Sequence, residues 1–115
     1  MDIQRRSINA TGIRFAVEKG GKEVARAYLY LMHNDLHVTP FGLVEDVFVD
    51  EALRGQGVGT ILVNKIIEMA KAEKCYKLIA TSRTSRPKVH ELYQRLGFEP
   101  HGIEFRMNLS QESEG

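Results

Sequence analysis

Polar and apolar residues alternate through two stretches near the start of the chain. "IRFAVE" (13–18) and "EVARAYLYLM" (23–32) put an apolar side chain at every second position, the period of a half-buried strand. "KGGK" (19–22) between them is a hairpin signal, because paired glycines accept the left-handed backbone that tight turns need. "IQRRSI" (3–8) reads as a further strand, joined to the first by the turn formers of "NATG" (9–12). After the loop "HNDLHVTPFG" comes "LVEDVFV" (43–49), a short and strongly β-prone run. The pattern therefore predicts four antiparallel strands in the first fifty residues.

The period then changes. Val58, Leu62, Ile66 and Met69, with Ile61 and Ala70 beside them, recur at helical spacing through "VGTILVNKIIEMAKAEK". "YKLIAT" (76–81) follows as a buried strand. Ser85 and Pro87 mark a second helix start, Val89, Leu92, Tyr93 and Leu96 line one face, and Gly97 ends it. "FEPHGIEFRMNL" (98–109) supplies one or two final strands, interrupted near Pro100 and Gly102. The order implies an α+β fold, a mixed and mostly antiparallel sheet with two helices, in a single domain over residues 1–109. The polar end, 110–115, reads as a frayed tail.

Composition narrows the function classes. A chain of 115 residues with 43% hydrophobic and 27% charged residues is that of an ordinary globular domain. Its net charge of +1 and the lack of any basic-aromatic motif speak against nucleic-acid binding and against an anionic membrane surface. No apolar run approaches the ~20 residues of a membrane helix, and the first ten residues lack a secretory h-region. One cysteine, Cys75, excludes an internal disulfide framework and fits a reducing compartment, so a cytoplasmic location is expected. Cys75 reads as a small buried residue rather than a nucleophile.

"ALRGQGVGT" (52–60) places Gly55, Gly57 and Gly59 at alternate positions beside Arg54, between a strand and a helix. Such a junction aims unpaired amides and the positive end of a helix dipole at one point, where a pyrophosphate is a natural occupant. Missing side chains admit phosphate oxygens to the backbone, and Arg54 or Thr60 can add donors. A tight structural turn would explain the same glycines. Neither a P-loop lysine nor the Gly-x-Gly-x-x-Gly spacing is present.

About thirty residues on, "LYQRLGFEP" carries Tyr93, Gly97 and Phe98. With Arg54, Gly57 and Gly59 ahead of them, residues 22 to 108 resemble the GNAT superfamily of N-acetyltransferases. The signature is an Arg/Gln-x-x-Gly-x-Gly/Ala loop, a long helix, a strand and a Tyr-x-x-x-Gly-Phe helix end. The resemblance implies acetyl-CoA as co-substrate, bound in the splay after the fourth strand. Its pyrophosphate would rest on Gly55, Gln56, Gly57, Val58, Gly59 and Thr60. Its pantetheine arm would pair like an added strand with Val47, Phe48 and Val49. The Val47 amide would then hold the thioester carbonyl and receive the oxyanion.

Transfer of acetyl to nitrogen needs a neutral amine, a stabilised carbonyl oxygen and a proton for the departing thiolate. Tyr93 matches the family tyrosine and is implied as general acid; its plain alternative is an aromatic on the core face of a helix. "VEDVFVDEALRGQGVG" is similar to GNAT members with Glu-Asp at this point, among them glucosamine-phosphate acetyltransferases. That implies Glu45 as the group that positions or deprotonates the acceptor. Glu45 shares the Val47 face unless a bulge intervenes, and a solvated or arginine-paired carboxylate is its alternative.

Arg86 stands where many members carry a cofactor-contacting asparagine, and can bind phosphate or cap the fold. His90, one turn before Tyr93, reads as a polar helix-face residue. Arg83, Arg86, Lys88 and Arg95 form a basic cluster, either facing the 3′-phosphate or solvated. His33, Asp35 and His37 share a loop but lack a fourth ligand, so no metal is expected.

GNAT domains place one or two helices between their first two strands; here only "NATG" separates the candidates. The resemblance thus implies an acceptor side left open or completed by a second copy, and a homodimer is expected. The reading is an N-acetyltransferase acting on a small-molecule or protein amine, with a catalytically silent acyl-CoA-binding module as its rival.

Overall fold

The computed structural model describes residues 1–82 and 86–111. Arg83 of the basic cluster, Ser85 of the second helix start and the tail beyond Gln111 lie outside the described residues. One sheet holds strands β1 (Ala10–Lys19), β2 (Lys22–Met32), β3 (Phe41–Val49) and β4 (Leu78–Ala80), in spatial order β1-β2-β3-β4. The first three are antiparallel, and β4 runs parallel to β3. A parallel pair needs a crossover, and helix α1 (Val58–Ala72) supplies it. Helix α2 (Pro87–Arg95) follows β4.

Core and helix follow from the predicted period. Ala25, Ala27, Leu29 and Leu31 form the inner face of β2, and Leu62 and Ile66 of α1 pack on them together with Val44. Alanines at the middle of β2 let the helix approach closely. Ile61, expected beside the core stripe, is instead 68% exposed.

Three sequence expectations are corrected. Residues 3–8 form no strand, and "NATG" is no turn: Thr11 and Gly12 are inside β1, which pairs with β2 from Ala10↔Met32 to Lys19↔Lys22. Ile3 and Ile8 are five apart, so an extended chain would put them on opposite faces with no apolar stripe to bury. The strand counted fourth in the sequence is therefore the third. "YKLIAT" shortens to the three residues of β4. Residues 98–109 form no strand: none of the sheet's four strands pairs with them, and Pro100 has no amide hydrogen to give a ladder.

The hairpin at "KGGK" is present, with φ of +58° at Gly20 and +76° at Gly21. Gly42 answers a different need. A Cβ there would lie 2.7 Å from Leu78 Cδ1 and 3.1 Å from Leu29 Cδ1, so the bare backbone is what lets β3 meet β4. Gly42→Ala is expected to lower stability by ~1–3 kcal/mol through overpacking, read as an earlier midpoint in urea unfolding with an unchanged slope.

Candidate functional site

β3 and β4 pair only at Gly42↔Leu78, Leu43↔Ile79 and Val44↔Ala80; beyond that point β3 runs on without a neighbour on this side. Just past the last pair, the β2–β3 register slips between Arg26↔Phe48 and Tyr28↔Glu45. Asp46 sits in this bulge with φ of +51°, a left-handed backbone that aspartate tolerates better than most residues. The bulge reverses the strand's parity. Val44 faces the core before it, whereas Val47 and Val49 do so after it. The expected common face of Glu45 and Val47 is thus lost, since Glu45 keeps the parity of Leu43, opposite to Val44.

The same reversal reorients the amides. The Asp50 N–H donates to the Val24 carbonyl at 2.8 Å, so alternation turns the Val47 and Val49 amides toward the open edge. Arg54 Nε donates to the Val49 carbonyl on that edge at 3.1 Å. Asp50 caps the 3₁₀ turn Glu51–Leu53 by accepting from the Ala52 amide, which with Lys22 and Arg54 nearby holds its carboxyl below the usual range.

The glycine loop then opens α1. Gly55 (φ +84°) and Gly57 (φ +81°) adopt left-handed backbone with open space where a Cβ would stand, so conformation rather than crowding selects glycine at both. Gly57 is the N-cap, and no side chain caps the helix. The first-turn amides of Val58, Gly59 and Thr60 consequently have no acceptor within the helix. Gln56 folds back onto the Ala52 carbonyl. At Gly59 a Cβ would meet Leu92 and Val49 at ordinary contact distance.

Helix α2 brings the remaining groups. Pro87 opens it at its first turn, after Arg86, which is the exposed N-cap. It is Arg95, at the other end, that reaches the loop, donating to Thr60 Oγ1 at 2.9 Å. The motif Tyr93-x-x-x-Gly97-Phe98 is a complete Schellman cap. Gly97 (φ +103°) donates to the Gln94 carbonyl and Phe98 to the Tyr93 carbonyl, while the Phe98 ring packs on Tyr93 with centroids 5.3 Å apart. Tyr93 is 7% exposed, and its hydroxyl makes no hydrogen bond among the described residues.

Tyr93 and Glu45 meet electrostatically. Burial raises the phenol's pKa, and the Glu45 charge raises it further. Burial likewise raises the Glu45 carboxyl, with Asp46 and Glu104 adding to the rise and Arg106 opposing it. The site thus pairs a phenol that keeps its proton to higher pH than usual with a carboxyl of enhanced basicity. Sequence reasoning left the bulge as a condition and Arg95 as one of a basic cluster; the structure supplies the bulge at Asp46 and the bond from Arg95 to Thr60.

The other flagged groups have local partners. His37 stacks on Tyr76 at 4.1 Å, and Asp35 pairs with Arg6. Half-buried Cys75 has its thiol pKa raised, chiefly by burial.

Strand, splay, uncapped glycine loop and tyrosine cap agree with the order of parts in one family, whose profile, described as acetyltransferase (GNAT) family, matches residues 2–98. The chain belongs to the GNAT family. Among its GNAT relatives, glucosamine 6-phosphate N-acetyltransferase of Trypanosoma brucei brucei is 38% identical over 69 residues, 59% of this chain and 44% of that protein. A probable glucosamine 6-phosphate N-acetyltransferase 2 of Oryza sativa is 40% identical over 63 residues, 55% of this chain and 36% of that protein. The matches thus span less than half the length of these two relatives. The crystal structure of a Trypanosoma brucei acetyltransferase superposes with a TM-score of 0.74 at 29% identity, covering 87% of this chain and 69% of that one. No described helix is long and apolar enough to cross a membrane.

Proposed function

We propose that this chain transfers the acetyl group of acetyl-CoA directly to an amine. The observation that carries this reading is the splay itself. Beyond Val44↔Ala80, β3 offers two free edge amides, followed within ten residues by the uncapped start of α1, with Tyr93 and Glu45 alongside. An extended thioester arm can add to the first while its pyrophosphate takes the second. Membership of the family supports the same assignment.

In this scheme Val47, Phe48 and Val49 pair with the pantetheine, and the Val47 N–H donates to the thioester carbonyl. Residues 55–60 hold the pyrophosphate, and Arg54, fixed on the Val49 carbonyl, keeps its outer nitrogens for phosphate. Arg95 is a better placed second cation than Arg86. The acceptor nitrogen attacks the carbonyl carbon, and the C–N bond forms as the C–S bond breaks. The amine's proton passes to Glu45, directly or through water, and Tyr93 protonates the sulfur.

The two glucosamine 6-phosphate acetyltransferases among the relatives make a phosphorylated amino sugar the first acceptor to try. A second copy of the chain completes the open acceptor side, and the cytoplasm, on its cysteine content, is the compartment. The test is release of free thiol from acetyl-CoA with a panel of amino sugars, small amines and peptide N-termini, checked by the mass of the acetylated product. Turnover of at least one amine is expected. Coenzyme A binding without turnover of any would favour the silent binding module.

A further inference from the structure

The two faces of β2 are unlike. Ala27 and Leu29 are fully buried against α1, whereas Tyr28 and Tyr30, on the face away from that helix, stay half-buried. Cross-strand partners share a face, so the register fixes their neighbours: Arg14 and Glu45 flank Tyr28, and Gly12 and Leu43 flank Tyr30. The two tyrosine rings are parallel to within 5°, with centroids 6.2 Å apart. No third ring stacks on them among the described residues. A Cβ at Gly12 would stand 3.2 Å from Tyr30 Cε1, so the missing side chain leaves that ring room to recline across β1. Arg14 secures the other ring. Its Nε donates to the Tyr28 hydroxyl at 3.1 Å, its guanidinium carbon lies 5.7 Å from the ring centroid, and its outer nitrogen is held by Glu23.

A pair of braced rings beside the Glu45 carboxyl suits one kind of molecule. Ring faces and a carboxylate both attract an ammonium ion, so an amine is drawn to this end of the sheet from solvent. Directly opposed side chains on neighbouring strands have Cβ atoms ~4.5–5.5 Å apart. A nitrogen at Glu45 and a flat ring on Tyr28 and Tyr30 therefore fit within one small molecule, with the amine on the ring or one or two bonds from it.

We propose that Tyr28 and Tyr30 determine acceptor specificity, receiving the flat ring of a ring-bearing primary amine whose nitrogen reaches Glu45. A pyranose through its C–H face and an aryl ring through its π face meet the same surface. An open-chain amine reaches the carboxyl but has no ring to lay down. This rests on the reading that the chain acetylates an amine at Glu45, and it names the shape of that amine.

Steady-state acetylation by the full chain of two matched pairs tests this: glucosamine against its open-chain alditol, and 2-phenylethylamine against octylamine. The parent is expected to favour at least one ring amine over its open-chain counterpart by ~10-fold or more in kcat/KM, carried by KM. The pair that shows the preference tells a pyranose from an aryl ring. Tyr28→Leu with Tyr30→Leu keeps apolar bulk, so the chain should fold, and is expected to abolish the preference. Tyr28→Phe with Tyr30→Phe restores the rings and is expected to restore it. Equal use of ring and open-chain amines by the parent, a preference that survives the leucine pair, or one that the phenylalanine pair fails to restore overturns the role of the tyrosines and leaves acetyl transfer standing. Acetylation of none of the four overturns the ring-amine assignment, and the wider panel of amines and peptide N-termini then decides separately whether acetyl transfer falls with it.

Discussion

Tyr93→Phe is expected to lower the rate of acetyl transfer by ~10²–10⁴-fold while coenzyme A affinity and melting temperature stay near those of the parent. The change removes one oxygen from a side chain that is almost wholly buried, and phenylalanine fills the same space against Phe98. That oxygen makes no hydrogen bond among the described residues, so no buried partner is left unsatisfied by its loss. What disappears, on the proposed mechanism, is the proton source. Burial keeps the phenol protonated past its ordinary value of 10.0, and the same apolar surroundings destabilise a thiolate, which favours passing the proton to sulfur.

The pH dependence has a definite sign. Glu45 acts as a base only when ionised, and its pKa lies above the ordinary 4.5. On acidification, kcat/KM should therefore begin to fall at a higher pH than an unperturbed carboxylate would give. Tyr93 must be protonated and stays so beyond pH 10, so it sets no limit near neutrality. Glu45→Gln should remove the acid limb. Full turnover in Tyr93→Phe would exclude the phenol as the acid.

Gly57→Val is the second large effect, and it separates backbone geometry from stability. A Cβ at residue 57 meets nothing within 4 Å, but φ of +81° is a conformation that a β-branched residue resists by ~1–2 kcal/mol. Relief of that strain swings the amides of Val58, Gly59 and Thr60 away from their common target. Hydrogen bonds to a charged group contribute ~1.5–3 kcal/mol each, so coenzyme A affinity should fall by ~10²-fold or more, as titration calorimetry would read. Gly20→Val is the matched control. Its φ of +58° also forbids a side chain easily and its surroundings are equally empty, but it lies in the β1–β2 hairpin. A similar loss of stability with affinity unchanged is expected there. Equal loss of affinity in both would mean that the loop holds no phosphate.

Local pattern decides how much of this was legible. The hairpin at Gly20-Gly21, the α1 stripe and the Gly97 terminus are written in short-range periodicity and turn chemistry, and they stand where the sequence put them. β1 ran further than expected because its length is dictated by its partner β2, a contact no window of "NATG" contains. The bulge was half visible. Val44, Val47 and Val49 are inward at spacings of three and then two, which a regular strand cannot do, and Asp46 is a residue that accepts the necessary backbone. Residues 103–109 read as a strand because side-chain alternation is local, whereas the strand they need beside them is not.

The cap that ends α2 also carries Tyr93, whose carbonyl receives the Phe98 amide and whose ring leans on Phe98. Anchorage and the proposed chemistry are thereby welded into one six-residue hinge-pin. A lesion at Gly97 would masquerade as damage to the reaction centre, although no atom of that glycine need ever touch a reactant.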